Sequence, residues 1–155
     1  MTIYLLDVNV LVALLWRSHS QHTQVQQWFG HAGSRAWATC PFTESAFVRI
    51  LSNPAFSDHA VTPSEARQAL EANVQHRGHH FWEDDIPFPV AVRKFQDRII
   101  GHRQVTDAYL LGLALHNKGT LATLDEGISA LLPEDDPEQS RVLVIPRDDP
   151  GVRRR

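Results

Sequence analysis

Cysteine is almost missing from this chain. The single thiol among 155 residues, Cys40, excludes an internal disulfide and suits a reducing compartment. It precedes Pro41 in an apolar stretch with no histidine at a telling position, so a small buried thiol is expected rather than a nucleophile. Lysine is nearly as scarce. Lys94 and Lys118 are the only two among 15 basic residues, leaving arginine to make any bidentate phosphate contacts. No apolar run approaches the ~20 residues that span a bilayer. No basic leader followed by a small-residue cleavage site opens the chain, so the expectation is a cytoplasmic protein without signal peptide or membrane contact. The net charge of −3 argues against a surface covered in phosphate-binding groups, while leaving room for a local basic patch. There is no internal repeat and no long linker. One domain over residues 1–147 is expected, followed by a polar tail at 148–155.

Periodicity supplies the first positive signal. Ile3 to Leu6 is a short apolar run, the pattern of a parallel strand covered on both faces. Asp7 and Asn9 stand at its carboxyl end, where open α/β sheets bind ligands. Helical segments follow at Val10–Trp16 and Gln21–Phe29, and a second strand at Ala36–Cys40. Pro41 opens a helix through Leu51. Within it Phe47, Val48 and Leu51 stand three, four and seven residues after Glu44, which puts this acid on the stripe that seeks burial, or at its edge.

Thr62-Pro63-Ser64-Glu65 is a helix start with a capping box, and that helix runs to Val74. His76 to His80 lacks the companions of a tetrahedral metal site and is expected as an exposed turn, with a short strand at Phe81-Trp82. Asp84-Asp85 is expected as a solvated loop, and Val90–Ile100 as a helix. Thr106 is positioned to cap the most apolar helix, Ala108–His116, which Gly119 ends. Asp107 then falls in the first turn, either as an ordinary helix-start acid or at the mouth of something buried. Leu121–Leu124 repeats the opening logic, an apolar strand ending at Asp125, and Val142–Ile145 is the last strand.

Four acids, Asp7, Glu44, Asp107 and Asp125, thus fall at strand ends, on one inward stripe and at one helix start. Carboxylates gathered within ~4–6 Å repel one another unless a cation joins them. Mg²⁺ or Mn²⁺, hard ions that take carboxylate and water oxygens, would satisfy such a cluster and suit phosphodiester hydrolysis.

The motifs Leu5-Leu6-Asp7-Val8-Asn9, Thr43-Glu44-Ser45-Ala46-Phe47-Val48, Val105-Thr106-Asp107-Ala108-Tyr109 and Leu121-Ala122-Thr123-Leu124-Asp125 resemble those of PIN-domain ribonucleases, above all the VapC toxins of type II toxin–antitoxin pairs. The likeness spans nearly the whole chain. It implies an α/β/α sandwich around a parallel sheet of four or five strands, and Mg²⁺-dependent endonucleolytic cleavage of RNA, with Mn²⁺ able to substitute. By position it implies that Asp7, Glu44, Asp107 and Asp125 bind metal, and that Asn9 and Thr123 orient the acids or the water. It also implies a homodimer and a small VapB-type antitoxin whose C-terminal segment blocks the acid pocket. The chain departs from the family after Asp125, where Glu126-Gly127-Ile128 replaces the polar segment that often follows.

Two other functions compete. An aspartyl-nucleophile phosphatase would use Asp7 to attack phosphorus, but wants a second Asp where Asn9 stands and a lysine near the site. A PIN-like binding module without catalysis would be expected to have lost one or more acids, and all four are present. Arg17, Arg49, Arg77 and Arg103 are the candidates for holding RNA.

Overall fold

Three residues, Tyr4–Leu6, form β1, and their neighbours on both sides explain why so short an apolar run is a strand. The computed structural model describes residues 1–56 and 58–146; the expected polar tail lies outside them. After β1 come α1 (Val8–Leu15), α2 (His22–His31), β2 (Trp37–Thr39), α3 (Pro41–Leu51) and α4 (Pro63–Val74). Then follow β3 (His79–Phe81), α5 (Phe88–Ala91), α6 (Val105–His116), β4 (Thr120–Thr123) and β5 (Val142–Val144). The five strands make one parallel sheet in the order β3-β2-β1-β4-β5.

Alternating side chains feed two cores. Leu5, Ala38 and Leu121 point into one, with Leu110, Leu111 and Leu113 of α6. Leu6, Trp37 and Ala122 point into the other, with Val10, Val25, Phe47 and Leu70 of α1 to α4. This is the expected α/β/α sandwich, with α1 to α4 on one face and α5 and α6 on the other. The strand run β1 to β3 proceeds outward in one direction, and the chain then returns to place β4 on the opposite side of β1. The switch point between β1 and β4 opens a crevice at their carboxyl ends, the position where such sheets bind ligands.

Helix starts follow local chemistry. Thr62 accepts a hydrogen bond from the Glu65 backbone at 3.2 Å and the Glu65 carboxylate accepts one from the Thr62 backbone at 2.7 Å, completing the capping box. Seven consecutive residues of α6, Ala108 to Ala114, are buried. Burying its leucines at about 1.5–3 kcal/mol each holds this helix, which has no wet face to guide it.

Four local expectations need correction. The stretch 90–100 is not one helix. It is the four-residue α5 and a 3₁₀ turn at Arg93–Arg98, kinked at Phe95, which has φ −125° and ψ 20°. The kink buries the Phe95 ring, 2% exposed, and that burial outweighs helical continuity. Thr106 does not cap α6. A 3₁₀ turn at His102–Gln104 leads in, and the helix starts three residues earlier than expected, at Val105, leaving Thr106 inside the first turn. The third strand begins at His79, not Phe81, because the backbone N–H of Trp37 reaches the Gly78 carbonyl at 2.9 Å and draws the chain into the sheet. Finally, the left-handed residue that ends α6 is Lys118, with φ 56°, while Gly119 lies where a Cβ would overlap the Trp82 ring. Gly119 N–H bonds the Ala114 carbonyl at 2.8 Å and Lys118 N–H the Leu115 carbonyl at 3.0 Å, a Schellman closure.

Candidate active site at the sheet switch point

The end of β1 delivers Asp7 into the crevice as the N-cap of α1. Its Oδ1 accepts from the Val8 backbone at 2.7 Å, and its Oδ2 accepts from the Thr123 hydroxyl at 2.7 Å. Asp7 is 3% exposed and Thr123 fully buried. The same Thr123 oxygen accepts from the Asp125 backbone at 3.0 Å and from the Asn9 amide at 3.4 Å. Asn9 in turn accepts from the Leu124 backbone at 3.2 Å. Asn9 and Thr123 therefore stitch the end of β1 to the end of β4.

Asp107 stands half-buried in the first turn of α6, and Asp125 is exposed, with one oxygen taken by the Gly127 backbone at 2.8 Å. Three carboxylates share one field. Burial pushes the Asp107 carboxyl up to about 6, with repulsion from Asp7 and Asp125 adding to it. Burial also raises Asp7, and Asp125 pushes it further, against the hydrogen bonds from Thr123 and Val8 that favour its charge. The ion pairs of Arg67 with Glu71, Lys94 with Asp136 and Glu138, and His116 with Asp85 all lie elsewhere. Among the described residues the acids have no ion-pair partner to offset them.

Glu44 lies in the first turn of α3, half-buried, while Phe47 and Leu51 farther along its stripe are fully inside. Its Oε1 accepts from the Thr39 hydroxyl at 2.6 Å, and Thr39 also meets Nε2 of His79 at 2.7 Å. Thr39 and His79 are site-side residues that pattern reading missed. Thr39 had a usable signal, a hydroxyl at the carboxyl end of an apolar strand, as in the case of Thr123. His79 had none, being hidden in a histidine-rich turn; it is half-buried, not exposed as expected.

The donor set suits a hard divalent ion, being carboxylates with hydroxyl and amide oxygens behind them. Among the described residues no three His, Cys, Asp or Glu side chains already stand as a ligand group. That is compatible with Mg²⁺, which keeps several waters and takes one or two carboxylates. A polar cleft of about 340 Å³ adjoins Asn9 and Asp125, lined also by His19, Gln21 and Glu126. An apolar slot of about 290 Å³ lies beside Thr106, walled by Phe42, Phe88 and Tyr109. Arg17, Arg49, Arg77 and Arg103 are all exposed and line neither.

Residues 4–131 match the PIN domain. Ribonuclease VapC39 of Mycobacterium tuberculosis is 42% identical over 125 residues, covering 81% of this chain and 90% of the relative. Ribonuclease VapC38 of the same organism is 40% identical over 141 residues, covering 91% and 98%. Among solved structures, VapBC2 from Rickettsia felis bound to a promoter DNA fragment aligns with a TM-score of 0.59 at 11% identity, covering 92% of this chain and 97% of that one. FitAcB from Neisseria gonorrhoeae aligns at 0.57 with 17% identity, covering 92% and 96%. The two solved structures share the fold, and the sequence relatives share much more: this chain belongs to the PIN-domain family, among its VapC ribonucleases.

Proposed function

We propose that this protein is the toxin nuclease of a toxin–antitoxin pair and cuts RNA internally with the help of Mg²⁺. One observation carries the reading: Asp7, Asp107 and Asp125 crowd one field at the switch point without a cationic partner among the described residues. Asp7, Glu44, Asp107 and Asp125 would hold the ion, one or two of them directly and the others through its waters, and Mn²⁺ would substitute. When bound, the ion supplies an activated water and neutralises charge on the phosphate. The remaining work falls to the chain itself. Thr123 fixes one Asp7 oxygen and the Asp125 backbone together, and Asn9 locks the β4 turn against α1. The Val8 backbone holds the other Asp7 oxygen.

The named relatives are ribonucleases, and VapBC2 was solved as a complex. By that analogy RNA is the substrate and a small VapB-type antitoxin the partner, its C-terminal segment blocking the acids, with the toxin itself a cytoplasmic homodimer. Among the described residues no helix is long and apolar enough to cross a membrane. The phosphatase alternative finds no support: Lys94 is committed to Asp136 and Glu138, and Lys118 stands exposed at the end of α6.

Cleavage of total cellular RNA by the purified chain tests the proposal, with Mg²⁺ or EDTA, for wild type and Asp7→Asn. The asparagine can still cap α1. Cuts at a few sites that need Mg²⁺ and vanish in the variant are expected. Cleavage that persists in the variant or in EDTA would overturn the mechanism. No cleavage by folded, antitoxin-free protein would favour a silent binding module.

A further inference from the structure

The carboxylate of Glu44 is held by a two-link chain that leads away from the other acids. The Thr39 hydroxyl lies 2.6 Å from Glu44 Oε1 and 2.7 Å from His79 Nε2. A hydroxyl has one proton to give, and an ionised carboxylate can only accept. Thr39 therefore donates to Glu44, and its oxygen accepts from His79 Nε2–H. Reversing the chain, with Thr39 donating to the ring nitrogen, requires Glu44 itself to carry a proton. A protonated carboxyl is a poor ligand for a divalent ion.

The surroundings fix the histidine. Parallel pairing of β2 with β3 sets Trp37 beside His79, so the His79 and Thr39 side chains rise from the same face of the sheet. The Trp37 ring meets the imidazole edge-on at a centroid distance of 4.7 Å. Gly78 precedes it against the Ser34 carbonyl, where any Cβ would overlap, so the backbone entering β3 has one path. Thr39 is fully buried, and a buried hydroxyl keeps its hydrogen bonds.

We infer that His79 is a positioning residue that acts through Thr39 to hold the Glu44 carboxylate aimed at a divalent cation. This rests on the reading of Glu44 as a metal-binding acid, and it names the groups behind that acid. Neither touches substrate or metal. Partners of this kind typically cost 10–100-fold in metal affinity when removed.

The test is Mn²⁺ affinity of the full-length chain, measured by water-proton relaxation without RNA, for wild type, Glu44→Gln, Thr39→Val, Thr39→Ser, His79→Asn and His79→Gln. A glutamine amide nitrogen falls near the place of imidazole Nε2, whereas an asparagine nitrogen falls near Nδ1. Thr39→Val and His79→Asn are expected to weaken Mn²⁺ binding about 10–100-fold. Thr39→Ser and His79→Gln should bind close to wild type. Weakened binding in Glu44→Gln with normal binding in Thr39→Val and His79→Asn overturns the inference and leaves Glu44 as a ligand. Normal binding in Glu44→Gln overturns both. A second readout needs no variant: ¹⁵N shifts of the His79 ring in Mg²⁺-loaded protein should show a protonated Nε2, and a bare Nε2 there overturns the inference.

Discussion

Asp107 bears a charge at neutral pH that the fold disfavours. Its carboxyl is raised to about 6 by burial and by Asp7 and Asp125, whereas an unfolded aspartate titrates near ~3.9. Between those values the folded protein holds a proton that the unfolded chain has lost, so stability falls as pH rises through that window. Above about 6 both states are ionised and the penalty remains. We predict that, in EDTA, Asp107→Asn melts at a higher temperature than wild type at pH 7 and that the advantage disappears as pH falls toward 4. A variant no more stable than wild type at pH 7 would remove Asp107 from the shared field. Asp7 and Asp125 stood out in the sequence because a carboxylate at the end of an apolar strand interrupts a pattern, whereas spacing left Asp107 open between a helix-start acid and a buried one. The Thr39–His79 chain was not: it depends on two residues forty positions apart, and no spacing rule links a threonine to a histidine on a neighbouring parallel strand.

Among the elements, α6 offers two opposing tests. Lys118 takes the left-handed position that closes this helix. That backbone costs a side-chain-bearing residue about 1–2 kcal/mol, while glycine loses roughly 0.5–1 kcal/mol in chain entropy. The balance predicts that Lys118→Gly stabilises the protein modestly, a rise in the urea midpoint with no change in slope. Gly112 goes the other way. Helix propensity favours alanine there by about 1 kcal/mol, but a Cβ would overlap the Ala91 carbonyl of α5. Overpacking of this kind typically costs about 1–3 kcal/mol, so Gly112→Ala should lower the midpoint; a higher one would mean that α5 yields freely. The boundaries of α3 and α4 were readable because proline and capping residues act locally, within one turn. Residues 90–100 were misread because burial of Phe95, a tertiary demand, broke the helix that local pattern favours.

For the molecule as a whole, a cation that binds only the folded state must stabilise it. Mg²⁺ at a hundredfold excess over its Kd would contribute about 2.7 kcal/mol, which for a domain of this size raises Tm by roughly 5–10 °C. We predict such a rise for wild type and little or none for Asp7→Asn. An equal rise in both would place the ion away from the switch point. Five short strand patterns, two of them reading as buried, and the family resemblance anticipated the layered architecture, but the strand order could not be read. Nothing local in Tyr4–Leu6 says that it will lie between β2 and β4.

That central placement has a consequence during synthesis. Asp7 leaves the ribosome early, yet the hydroxyl that fixes it belongs to Thr123, 116 residues later. Until β4 has emerged and paired with β1, the crevice has only one wall, and Asp125 does not exist. A chain stopped before β4 would therefore carry Asp7, Glu44 and Asp107 but lack the hydroxyl and the fourth acid that complete the crevice.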